Sequence, residues 1–124
     1  GDRNRLQSTD KAGNLRAPWR RLRRPDLPKE VDDGFYDRAD AHLRVASGHL
    51  DDASQGRVSA SLMYACARFN AWISARHRES PADLKRAYGE TIEYFVSEYR
   101  KMLVKNLDDY VDNFDKYQEP AKPD

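Results

Sequence analysis

Two observations predict an all-α protein. Apolar residues recur at helical spacing in three successive segments after Asp32, and the thirty residues before them carry neither a helical nor a strand period. The predicted architecture is a three-helix antiparallel bundle with a long third helix, preceded by a disordered basic arm. The corresponding limits are a flexible arm over 1–30, a helical domain over 33–118 and a disordered tail over 119–124.

Size and composition bound the alternatives. The chain has 124 residues, 35% charged and 39% hydrophobic, with a mean hydropathy of −0.98. That is room for one domain, since domains run ~100–150 residues. The longest apolar run, Leu62 to Ala67, is six residues, against ~20 for a membrane span. The single cysteine, Cys66, allows no internal disulfide and no thiolate zinc site. No apolar stretch of signal-peptide type follows the N-terminal arginines. The expectation is a cytoplasmic protein.

The net charge of +1 hides a split. Residues 1–30 hold nine Lys/Arg and four acids, hence +5, and the other 94 hold thirteen and seventeen, hence −4. Pro18, Pro25 and Pro28 mark the boundary. The few large apolar residues of the arm cannot offset ~1–2 kcal/mol of backbone ordering per residue.

The first helix is expected at about 33–47. Phe35, Ala39, Leu43 and Ala46 share a face, Asp32 or Asp33 can cap its start, and Ser47-Gly48 can stop it. A polar linker, 51–56, follows. The second helix is expected at about 57–76, where Val58, Leu62, Ala65, Phe69, Trp72 and Arg76 step by 4, 3, 4, 3 and 4, a coiled-coil-like seam widened by Cys66 and Ile73.

Ser80-Pro81-Ala82-Asp83 opens the third helix with a cap, a first-turn proline and a box-like acid. From Leu84 to Tyr117 ten apolar residues recur at about 3.7 residues per step, the α-helical period. Continuous over 81–118, this helix is about 57 Å long at 1.5 Å per residue. The two earlier helices together are no longer than that. Either the third helix breaks near Asn106, or its apolar end packs on a second copy as a homodimer. The expected core comprises Phe35, Leu43, Leu62, Ala65, Phe69, Trp72, Ile73, Leu84, Ile92, Phe95 and Leu103.

The blocks FYDRADAH (35–42), VSASLMYACARFNAW (58–72), YFVSEYRKMLVKNLDDY (94–110) and NFD (113–115) resemble a proteobacterial family of small uncharacterised proteins, a domain of unknown function. The resemblance covers about residues 33–117. It implies a small bacterial all-α protein and lends no activity, cofactor or catalytic residue.

Residue by residue, catalytic and metal sites are not expected. Cys66 and His77 lie eleven residues apart on one helix, ~16 Å of rise, whereas a nucleophile and its base need ~2.6–3.2 Å. Cys66 reads as a core thiol and Asn70 as a buried residue that fixes helix register. His42 and His49 are two turns apart rather than the three or four residues of helical metal sites, and no Glu-x-x-His occurs. No cofactor is implied.

Two surfaces remain. Asp108, Asp109, Asp112 and Asp115 alternate with Tyr110, Phe114 and Tyr117 at the end of the third helix. Acids there oppose the helix dipole at up to ~0.3–1 kcal/mol each, so compensation or a basic partner is expected. In the arm, Arg16, Trp19, Arg20, Arg21, Arg23 and Arg24 could contact phosphates or carboxylates, with Trp19 stacking. Five ion contacts give only weak, salt-sensitive nucleic-acid binding. The function these features favour is a small non-enzymatic interaction or adaptor protein with an unknown protein partner. The alternative is a nucleic-acid- or ribosome-associated accessory protein that uses the arm.

Overall fold

The computed structural model describes Trp19 and residues 32–118. Arg16, Arg20, Arg21, Arg23 and Arg24, with the rest of the predicted arm and the tail 119–124, lie outside the described residues. The described chain is all-α, with five helices and no strand: α1 (Phe35–His49), α2 (Gln55–Arg76), α3 (Pro81–Arg86), α4 (Tyr88–Asp112) and α5 (Phe114–Gln118). The chain divides into two compact units at Ser61/Leu62, within α2.

In the first unit, α1 starts without the predicted aspartate cap. Gly34 occupies the cap position and no side chain bonds there. Asp32 is held elsewhere: the Arg38 guanidinium donates to Oδ1 at 2.6 Å and to Oδ2 at 3.3 Å. The fork of Arg38 spans both carboxylate oxygens, a stronger bond than a single backbone N–H can offer. A Cβ on Gly34 would come within 2.9 Å of Arg38 Nη1, the far end of a flexible side chain, which would shift to make room. The predicted stop at Gly48 is also displaced. The helix runs on to His49 and closes at Leu50, whose N–H reaches the Ser47 carbonyl at 3.0 Å. Leu50 keeps right-handed angles (φ −65°, ψ −16°), so a tightened last turn ends α1 and no left-handed glycine is needed. Ser54 Oγ accepts from Arg57 N–H at 3.3 Å at the start of α2.

In the second unit, the start of α3 follows the sequence signal closely. Ser80 Oγ accepts from Asp83 N–H at 3.1 Å, and Asp83 Oδ2 accepts in return from Glu79 N–H at 3.1 Å. The expected single helix over 81–118 is instead three, divided at Ala87 and Asn113. Ala87 sits at φ −87°, ψ 0°, yet its carbonyl still accepts from Thr91 N–H at 2.9 Å, so α3 and α4 meet at a kink. Asn106, the predicted break, lies inside α4. Its side-chain amide donates to the Met102 carbonyl at 2.7 Å, one turn back, and leaves the backbone ladder intact.

The expected core is largely in water. Val58 and Ala87 are the buried apolar residues among those described. Phe35, Leu43, Ile73, Leu84 and Phe95 are half-buried, whereas Leu62, Ala65, Phe69, Trp72, Ile92 and Leu103 are exposed. On α2 and α4 the half-buried positions are offset from most of these residues. On α4 the half-buried positions Thr91, Phe95 and Asn106 each immediately precede an exposed apolar residue: Ile92, Val96 and Leu107. On α2, half-buried Asn70 and Ile73 each immediately follow exposed Phe69 and Trp72. One residue is about 100° of turn. On α1 the half-buried positions Phe35, Ala39, Leu43 and Ala46 are the predicted apolar face, whereas on α2 and α4 much of the apolar stripe stands beside the half-buried positions.

Candidate partner-docking face

Two apolar stripes stand exposed. On α2, Leu62, Phe69 and Trp72 are exposed, with Ala65 between them. The Phe69 and Trp72 rings lie 5.6 Å apart, and the Arg76 guanidinium sits 5.0 Å over the Trp72 ring. On α4, Tyr88, Ile92, Val96, Tyr99, Leu103 and Leu107 step by 4, 4, 3, 4 and 4, and Phe114 of α5 follows. These ten side chains are 39–58% exposed.

The acidic end, singled out from sequence, separates into two sets. Asp109, Tyr110 and Tyr117 are half-buried and act locally. The Asn113 side-chain amide donates to Asp109 Oδ1 at 2.9 Å and to the Asp109 carbonyl at 3.2 Å. Tyr117 Oη donates to Asp109 Oδ2 at 2.5 Å. The rings of Tyr110 and Tyr117 stack at 4.1 Å and 32°. Both Asp109 oxygens are thus satisfied, and two donors face a carboxylate that the helix dipole disfavours. Asp108, Asp112, Phe114 and Asp115 remain exposed and available to a partner. Asn113, which sequence reasoning passed over, is the residue that turns the chain back.

Trp19 is the one arm position among the described residues. It stands in a turn, half-buried, and its Nε1 is out of solvent without a hydrogen-bond partner. Cys66 departs from its expected core position: it is a free, exposed thiol, with its Sγ accepting from Asn70 Nδ2 at 3.4 Å. Asn70 is half-buried and spends that donor on its own helix.

Chemistry-bearing groups converge weakly elsewhere. A shallow, open cleft of about 350 Å³ is lined by Ser74, His77, Arg78, Glu90, Thr91, Tyr94 and Phe95. Arg78 there faces Asp83 at 3.7 Å. No group of three His, Cys, Asp or Glu side chains placed to hold a metal occurs among the described residues. No described helix is long and apolar enough to cross a membrane.

A family model described as "Protein of unknown function (DUF3144)" matches residues 35–111, from the first residue of α1 to the last turn of α4. No curated protein and no solved structure matches the chain at a significant level.

Proposed function

This chain belongs to the DUF3144 family, described only as of unknown function, and we propose that it is a small non-enzymatic interaction or adaptor protein that lays its open helix faces on another protein. One observation carries the reading: ten large apolar side chains in two helical stripes stand 39–58% exposed. Apolar patches of that extent, rimmed by charge, mark association surfaces. In this reading the helices complete their apolar core only in the complex. The free thiol of Cys66 fits a reducing compartment, so we place the protein in a bacterial cytoplasm.

The test is site-specific photocrosslinking of the full chain in its host, with a photoreactive phenylalanine analogue at Tyr99 and, separately, at Arg20. Protein adducts at position 99 are expected. RNA adducts at position 20 with none at 99 would move the function to the arm and overturn this reading.

A further inference from the structure

We propose that the occupant of these faces is a second copy of the same chain, docked so that α2 of each copy lies on α4 and α5 of the other. The proposal rests on the interaction reading above and names its partner.

Area is the first argument. An aromatic side chain carries ~150–250 Å², so the ten half-exposed stripe residues leave roughly 1,000 Å² of surface per copy. A stable interface needs ~800 Å² per partner. The largest apolar patch of an ordinary monomer is ~300–600 Å². The stripes are therefore large enough to form a dimer interface without recruiting any other surface.

Charge selects the pairing. From Gln55 to Arg78 the chain holds Arg57, Arg68, Arg76 and Arg78 and no carboxylate. From Leu107 to Gln118 it holds Asp108, Asp109, Asp112 and Asp115 against Lys116 alone. Among the described residues, Arg68 and Arg76 make no ion pair, and neither do Asp108, Asp112 and Asp115. Packing α2 on its own copy would set arginine against arginine. Packing α4 antiparallel on its own copy, centred on the stripe, would bring Asp108 and Asp112 toward Glu90 and Glu93, and Arg100 and Lys101 toward their own copies. Laying α2 on the last turn of the partner's α4 and on its α5 sets Arg68 and Arg76 against Asp108, Asp112 and Asp115. A two-fold axis makes that contact twice and closes the assembly. Ala65, between Leu62 and Phe69, lets the second helix approach closely.

The experiment uses two full-length variants, one with Arg68→Glu and Arg76→Glu, the other with Asp108→Lys, Asp112→Lys and Asp115→Lys. Sedimentation equilibrium of the unsubstituted chain should give twice 14.4 kDa. Each variant alone should dimerise at least tenfold more weakly with unchanged helical circular dichroism. Their equimolar mixture should regain the dimer, because both of its interfaces then pair opposite charges. A dimer that neither variant weakens, or a mixture no stronger than its components, overturns the pairing. A monomeric unsubstituted chain that still crosslinks another protein at position 99 overturns the second copy and leaves the interaction reading standing. A monomer with no protein adduct there removes both.

Discussion

Tyr117 donates its phenolic hydrogen to Asp109 Oδ2 at 2.5 Å, across eight residues of sequence. This bond ties α5 back over the last turn of α4 and places a donor beside a carboxylate at the unfavourable end of a helix dipole. Hydrogen bonds to charged groups contribute ~1.5–3 kcal/mol where water is excluded. This pair is half-buried, so Tyr117→Phe should cost about 1 kcal/mol in urea denaturation. Amide exchange over 113–118 should speed up while exchange in the middle of α4 holds. Equal acceleration along all of α4 would show that the bond does not act locally.

The cap of α3 offers a more contained test. Ser80→Ala removes the acceptor for Asp83 N–H and should cost about 1 kcal/mol, the usual value for a lost N-cap. Ser80→Asp keeps an acceptor and should recover most of it. Equal losses in the two variants would mean that the side chain at 80 matters for something other than its oxygen.

Trp72 measures how far the stripe is completed by association. A buried tryptophan cut to alanine costs ~3–5 kcal/mol. At 51% exposure, the Trp72→Ala loss should be roughly half that in dilute protein and should grow as concentration rises into the assembled range. With Trp19→Phe leaving Trp72 as the only tryptophan, fluorescence emission should move to the red on dilution. A loss and an emission maximum that ignore concentration would place Trp72 outside any interface.

The Asp32–Arg38 pair carries a pH dependence of known sign. The hydrogen bond from Arg38, helped by its charge, holds the Asp32 carboxyl below the usual carboxylate range and raises the guanidinium of Arg38. A lowered carboxylate pKa stabilises the folded chain above the unfolded value of ~3.9, and that contribution is lost as pH falls through the folded pKa. Both side chains are more than 60% exposed, so salt screens the effect. In a carbon-detected NMR titration, Arg38→Ala should return the Asp32 midpoint upward to the ordinary carboxylate range. An unmoved midpoint would mean that the pair does not persist in solution.

Much of this protein is legible in its residues. The helical periods place α1, α2 and the long apolar run from Leu84 onward, because the spacing of oily side chains along a helix is a property of the chain alone. The Ser80-Pro81-Ala82-Asp83 cap is local chemistry and reads directly. The acidic-aromatic end was visible too, although its division into anchoring Asp109 and Tyr117 and outward Asp108 and Asp112 was not. That division depends on Asn113, whose amide can reach Asp109 only after the helix has formed.

What the tertiary structure alone decided is which residues of α2 and α4 stay in water. The stripe through Phe69 and Trp72, like that through Ile92 and Tyr99, is recorded in sequence as an apolar face. Its spacing is the same whether the facing surface belongs to this molecule or to another. The folded chain leaves Asn70, Ile73, Thr91 and Phe95 half-buried, each next to an exposed apolar residue. Periodicity fixes the direction of a side chain relative to its helix axis, and only packing fixes what stands in that direction.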